Sequence, residues 1–399
     1  MRVALLSREY PPEVYGGAGV HVEYLCRELA RKIDVSVLCF GKARTDALVH
    51  RSFEFWDALD GPEPHRAALK TLAVNLQMTA ELADFQLCHS HTWYANFAGH
   101  LAKLTFGIPH VMTSHSLEPL RPWKAEQLAG GYRVSSFVEK TAAQSADRII
   151  AVSAGMRADI LAAYPEVSPD KVSVIYNGID TEEYAPRDGK EALRKLGLDP
   201  ARPVAIFVGR ITRQKGVVHL LDAAAHLDPE IQLLLCAGAP DTPEIEAEVA
   251  GRVNELMQRR SGVVWVRQML ARNELVPLLS ASTVFVCPSI YEPFGIVNVE
   301  AMGTGTAVVA SAVGGIPEVV VEGETGRLVH FDHDAAGNPL DADKFARDFA
   351  NRVNEVATNP SQAHNMGAAG RQRVLEKFSW KTIAEETIAL YGTLLTKNG

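Results

Sequence analysis

The chain has no apolar run approaching the about eighteen residues that a bilayer-crossing helix needs. Its short apolar start, Val3 to Leu6, is closed at once by Arg8 and Glu9. That is too brief for the apolar segment of a secretory signal, so a soluble, cytoplasmic protein is expected. Positive charge is in deficit, with 40 Lys and Arg against 48 Asp and Glu and a formal net charge of −8. Such a chain has no general attraction for nucleic acid or anionic membranes, and neither is expected as a partner. Any anion site must be built locally. Cysteine is sparse: Cys26, Cys39, Cys88, Cys236 and Cys287 are odd in number, scattered, and form no C-x-x-C pair. This excludes a disulfide framework and a thiol zinc site, and leaves small core residues in a reducing compartment. Short repeats and low-complexity tracts are also missing.

What remains is material for a large globular protein. Apolar residues make up 47% and charged residues 22% of 399 positions, which suits two domains and not a disordered chain. β-Branched runs at 2–7, 35–40, 87–89, 110–114, 148–152 and 172–175 each precede a stretch of helical periodicity. The same rhythm restarts at 204–208, 231–237, 263–266, 284–287, 307–311 and 327–329. Alternation of this kind predicts parallel sheets with crossover helices, here in two doubly wound α/β units. Between them Pro186, Gly189, Gly197, Pro200 and Pro203 surround a short charged helix and mark a hinge. The expected map is a first domain at 1–185, a linker at 186–203, a second domain at 204–376, and a last helix within 377–399. That helix is amphipathic through Ile383, Thr387, Leu390 and Leu394 and is expected to pack across the domain junction.

Ligands of open parallel sheets bind beyond the carboxyl ends of the strands. After the first strand, Glu9-Tyr10-Pro11-Pro12 leads to Gly16-Gly17-Ala18-Gly19 at a helix start. Backbone amides there can approach an anion, although a simple strand-to-helix turn reads the same way. A dinucleotide fingerprint is a weak match, because Val22 stands where a third glycine belongs and the second strand runs into Gly41, Lys42 and Arg44 instead of an acidic residue. The strand at 204–208 ends in Gly209-Arg210-Ile211-Thr212-Arg213-Gln214-Lys215-Gly216, three cations within six residues, which can stabilise a departing diphosphate. The glycine and lysine spacing is not that of a P-loop. A solvated charge cluster is the alternative.

The strand at 284–287 runs into Glu292-Pro293-Phe294-Gly295-Ile296 and, one turn further on, Glu300. The amides of Phe294, Gly295 and Ile296 sit at a helix start facing an anion. Glu300 can accept from both ribose hydroxyls, and Glu292 can hold sugar hydroxyls. In the first half His89-Ser90-His91-Thr92-Trp93 and His115 follow strands. No acidic partner stands at ligand spacing, so the histidines read as polar loop residues and no metal is assigned. Asn177-Gly178 fits a turn. Asp332-His333-Asp334 reads as a loop and Asp341-Ala342-Asp343 as a helix start.

Taken in order on a two-domain α/β frame, the Gly16-Gly17 loop, the His-x-His-x-Trp run, His115, Asn177, Arg210 with Lys215 and the Glu292 to Glu300 motif resemble the retaining glycosyltransferases of the GT-B fold, in particular the glycogen and starch synthase group. The resemblance implies two Rossmann-like domains facing across a cleft. It implies that Arg210 and Lys215 bind the donor diphosphate, that Glu300 binds its ribose, and that Glu292, His115, Asn177 and the Gly17 loop position the donor glucose, with His115 near the anomeric carbon. It further implies transfer without a cofactor or bound metal.

ADP-glucose-dependent bacterial glycogen synthases carry a lysine two residues before the paired glycines; Val14 stands there. That departure, the shorter chain, the run His115 to Lys124 and Gly130-Gly131-Tyr132-Arg133 are more similar to the actinobacterial α-maltose-1-phosphate synthases. Glucose 1-phosphate is then the expected acceptor, with a growing α-glucan as the alternative. Glu9, Trp93, Arg121, Lys124 and Arg133 are the acceptor-side candidates, the last three as cations for its phosphate. A nucleotide-sugar 2-epimerase and a non-catalytic nucleotide-sugar sensor are the remaining readings. The resemblance allows a homodimer without requiring one.

Overall fold

A computed structural model describes residues 1–14, 16–121, 124–334 and 336–396. The chain divides into two units, one of Met1–Gly178 together with Trp380–Gly399, the other of Ile179–Ser379. Within the first, β1 (Arg2–Ser7), β2 (Asp34–Phe40), β3 (Val49–Phe53), β4 (Leu87–His91), β5 (His110–Ser114), β6 (Arg148–Ala151) and β7 (Val172–Val174) form one sheet in the order β3-β2-β1-β4-β5-β6-β7. Every pairing is parallel; Leu5 of β1, for example, stands opposite Val37 of β2 on one side and His89 of β4 on the other. Val3, Ala4, Leu5 and Leu6 are fully buried, as a strand covered by helices on both faces must be. Val22, Leu25, Cys26 and Leu29 of the helix Gly17–Ala30 pack on one face, and Val74 and Met78 of the helix Pro64–Ala80 on the other.

The second unit repeats the plan. β8 (Val204–Arg210), β9 (Gln232–Gly238), β10 (Val263–Val266), β11 (Val284–Cys287), β12 (Ala307–Ser311) and β13 (Gly326–Val329) lie in the parallel order β10-β9-β8-β11-β12-β13. Its core joins Leu233 and Leu235 to Leu220, Leu221, Phe345 and Phe349. In each sheet the order reverses beside the first strand, between β1 and β4 and between β8 and β11. Helices leave on opposite faces there, so the crevice beyond these strand ends is where each unit can receive a ligand. All five cysteines are free and buried. Among the described residues no helix is long and apolar enough to cross a membrane.

Three boundaries differ from the sequence reading. The first unit closes at Gly178, and residues 179–203 belong to the second unit instead of forming a separate linker. Leu193 and Leu198 are buried, the Arg187 N–H donates to Ser280, and a Cβ on Gly189 would lie 1.7 Å from the Pro277 carbonyl oxygen. Gly189 therefore serves tight packing on the helix Arg272–Ala281. The last helix, Trp380–Leu395, is a component of the first unit: Trp380, Ile383, Tyr391 and Leu394 enter the core that holds β1 and the helix Gly17–Ala30. Finally, β4 runs on through His91, so His89 and His91 are buried strand residues and not loop residues.

Candidate active site

In the second unit β8 delivers Arg210 at its last position, and Thr212 caps the turn Arg213–Lys215 by accepting from the Lys215 N–H at 3.2 Å. Gly216 closes the turn at φ +64°, where a Cβ would stand 2.0 Å from the Pro288 carbonyl oxygen of the neighbouring strand-end loop. Only glycine allows that approach. The two loops are thereby locked together, and Lys215 Nζ reaches Glu292 Oε2 at 2.6 Å. Ser289 donates to the same oxygen at 3.2 Å, and Arg210 Nη1 meets Asp241 Oδ1 at 3.1 Å. The paired cations are thus held beside carboxylates, while Arg213 is exposed. The backbone of Glu292 is fixed in turn: Gly315 N–H donates to its carbonyl at 2.9 Å, and Gly314, at φ +54°, leaves no room for a Cβ, which would sit 2.0 Å from that oxygen.

Gly295, at φ +91°, begins the helix Ile296–Gly303, so the expected helix start is in place. The Phe294 side chain is buried 5.8 Å from the Phe378 ring, so only its backbone is positioned for a ligand. Glu300 is buried and accepts from the Tyr184 hydroxyl at 2.7 Å. Burial pushes its carboxyl up to about 7, while Tyr184, Arg272 and Lys215 oppose the shift. Arg272 pairs with Glu183 at 3.6 Å, and both line an open depression of about 470 Å³ with Arg187, Asn273 and Val276.

In the first unit Glu9 accepts the Gly16 N–H at 2.8 Å, and a Cβ on Gly19 would lie 2.7 Å from the same Glu9 oxygen. Glu9 therefore holds the glycine loop. Gly17 is the first residue of its helix, as expected. One turn on, His21 Nδ1 lies 2.6 Å from Asn177 Oδ1. His115, beyond β5, has Nε2 3.1 Å from His91 Nδ1, and its ring centroid is 4.7 Å from that of His21. Trp380 packs edge-on against His21 at 5.1 Å. His89 is bridged to Tyr391 at 2.6 Å and to Thr113 at 2.7 Å. Burial holds all these imidazoles neutral: His21 falls to about 4, and His89, His91 and His115 lie well below the usual histidine range. At His115 the unit therefore presents an uncharged, hydrogen-bonding pocket suited to sugar hydroxyls.

The acceptor candidates separate. Trp93 is a core residue, 2% exposed among Ala68 and Val138, which corrects its assignment. Lys124 is corrected as well: its Nζ donates to buried Glu118 at 2.9 Å, and Glu118 also accepts from Ser135 at 2.5 Å. Beside them Glu139 accepts from the Glu118 N–H and the Tyr164 hydroxyl, and burial together with the Glu118 charge pushes it up to about 8. This polar knot clamps the segment after His115. Arg121 donates to Ser116 at 3.1 Å, and its buried Nε has no hydrogen-bond partner among the described residues; Arg133 is exposed. Pro122 and Trp123 of the same run lie outside the described residues. Asp341 caps the helix Ala342–Ala357 and Asp334 closes a loop through Ala336 and Asn338, both structural as expected.

Asp241, Ser289, Tyr184, Gly314 and His21 were missed in the sequence. Ser289 stands in the run of its partner Glu292, three residues on, but none of the others shares a motif with its partner, and Asn177 lies 156 residues from His21; only the glycine before a strand-end helix hinted at Gly314.

Two doubly wound parallel-sheet units, one with cations at its switch point and the other with a neutral histidine pocket, define a glycosyltransferase of the GT-B fold. A model described as Glycosyltransferase Family 4 matches residues 15–183, and one described as Glycosyl transferases group 1 matches residues 188–373. The chain is 52% identical to an α-maltose-1-phosphate synthase of Mycolicibacterium smegmatis and 53% identical to one of Mycobacterium tuberculosis, with 98% of this chain and 99% of each relative covered. A sucrose-phosphate synthase structure from Thermosynechococcus elongatus covers 100% of both chains at a TM-score of 0.80 and 26% identity. The chain belongs to this glycosyltransferase family.

Proposed function

We propose that the protein is a retaining α-1,4-glucosyltransferase that moves glucose from ADP-glucose to glucose 1-phosphate, giving α-maltose 1-phosphate. The observation that supports donor binding most directly is the placement of Arg210 and Lys215 at the β8/β11 switch point, each already beside an oxygen anion at 3.1 and 2.6 Å. A diphosphate offers the same chemistry with more charge, and the two cations stabilise it further as its charge grows on breaking of the bond to sugar. Glu300 with Tyr184 takes the ribose; Glu292, His115 and Asn177 take the glucose hydroxyls. Arg121, with an unused buried Nε, and exposed Arg133 are the remaining cations for the acceptor phosphate.

In the step itself the acceptor 4-hydroxyl oxygen forms a bond to C1 as the C1–oxygen bond to diphosphate breaks. The hydroxyl proton passes to the leaving phosphate oxygen on the same face, so configuration is retained. Neither a protein nucleophile nor a resident metal enters this scheme. The names of the relatives favour glucose 1-phosphate over a glucan acceptor. Incubation with labelled ADP-, UDP- and GDP-glucose, each with glucose 1-phosphate or glycogen, tests this. Labelled α-maltose 1-phosphate from ADP-glucose is expected; label only in polymer would establish the elongating enzyme, and an epimerised sugar without acceptor would overturn the transfer reading.

A further inference from the structure

The sequence offers His89 and His91 in β4, but the fold sets His91 instead beside His115, beyond β5, and His21 of a distant helix. We propose that His21, His91 and His115 form a binding site for a divalent ion of the zinc class, and that its occupation withdraws His115 from the sugar. One ring nitrogen from each residue lies within 4.8 Å of the other two. His91 Nδ1 and His115 Nε2 are 3.1 Å apart; neighbouring ligands around a tetrahedral ion at about 2.0–2.1 Å stand about 3.3 Å from each other. Two of three ligand positions are therefore nearly at their final spacing.

The second argument is an orphaned lone pair. Asn177 presents its carbonyl oxygen to His21 Nδ1, an atom that can only accept, so the His21 proton sits on Nδ1 and Nε2 is bare. That Nε2 is buried without a partner among the described residues, in a residue 2% exposed. Buried polar atoms ordinarily find partners. An imidazole whose outer nitrogen donates to an amide or backbone oxygen is also the usual arrangement of a zinc-bound histidine, which fixes tautomer and ring orientation. The donor set contains three imidazoles and no carboxylate. It selects zinc, cobalt or copper over magnesium, calcium or manganese. His115 is only partly buried, which leaves a path inward and a fourth position for water.

Coordination stands apart from the proposed reaction; loss of transfer on metal binding rests on the role given to His115. Chelator-treated full-length protein is titrated with ZnCl2 and MgCl2 by calorimetry and with CoCl2 by visible absorption. One Zn2+ per chain, a tetrahedral cobalt spectrum and no heat from Mg2+ are expected. His21→Ala and His91→Ala each weaken zinc at least about tenfold, Asn177→Ala does so by about 10- to 100-fold, and His364→Ala on the exposed side of another helix changes nothing. His21→Gln and His91→Gln serve where the alanine variants do not fold. No zinc heat with octahedral cobalt, or equal zinc binding by wild type and both histidine variants, overturns the site. Zinc bound with transfer unimpaired overturns the inhibitory half. Zinc bound as described by a chain that transfers no glucose to any acceptor supports the site and removes the proposed function instead.

Discussion

Replacing Lys124 with methionine keeps the apolar stem and removes the ammonium. Glu118, 1% exposed, then loses the donor at 2.9 Å and retains Ser135 on its other oxygen, next to Glu139. Removing one partner of a buried pair costs about 3–5 kcal/mol, because the remaining charge is left without compensation. At about 2–4 °C per kcal/mol for a unit of this size, the calorimetric transition of the first unit should fall by roughly 6–20 °C, while that of the second stays in place. The double variant Lys124→Met with Glu118→Gln removes both charges and should recover most of the loss. Vmax should follow the folded fraction, while the KM for glucose 1-phosphate should stay unchanged. A transition within about 2 °C of the parent, accompanied by a KM raised tenfold or more, would refute the argument and return Lys124 to the acceptor phosphate.

Lys215→Ala should lower kcat with ADP-glucose, per folded enzyme, by about 10²–10³, the usual cost of one preorganised charge-stabilising donor; steady-state kinetics checks it. Glu139→Gln mimics the protonated carboxyl. With the folded pKa raised to about 8, the wild-type carboxyl stabilises the fold below the ordinary carboxylate range and loses that contribution as pH rises through 8. The stability of wild type relative to the variant should therefore fall between pH 5 and 9, by at most about 1.4 kcal/mol per unit in urea titrations. His21→Gln has the opposite signature. His21 is held at about 4, so between that value and the ordinary 6.5 the unfolded chain binds the extra proton. Wild type should lose about 3 kcal/mol relative to the variant as pH drops through this window.

Twelve of the thirteen strands correspond to β-branched runs visible in the sequence with edges within about two residues; β3 is the exception, and β4 runs on two residues to His91. Val49–Phe53 carries His50, Arg51 and Ser52 at the sheet edge, so its pattern is too polar to stand out. His91 extends β4 because neighbouring rings and hydrogen bonds, absent from any local pattern, make a buried strand of polar residues tolerable. At the candidate site the chemical types were legible, since cations and carboxylates at strand ends have few other reasons to be there. Their partners were not. Asp241 against Arg210, Tyr184 against Glu300 and His21 against Asn177 are contacts between distant segments that only the sheet order brings together. The two errors at Trp93 and Lys124 share a cause: a polar or aromatic residue beside a motif was assigned to the ligand when interior packing had the stronger claim on it.

The first unit is discontinuous in the chain, with the whole of the second inserted before Trp380. A ribosome therefore releases the segment that ends at Gly178 long before the helix that covers β1 exists, whereas residues 179–379 emerge as one uninterrupted block. The block can reach its native state during translation. The earlier segment must wait, its apolar face uncovered by Trp380 and Tyr391, until synthesis is almost complete, which makes it the part of the nascent chain most in need of a chaperone.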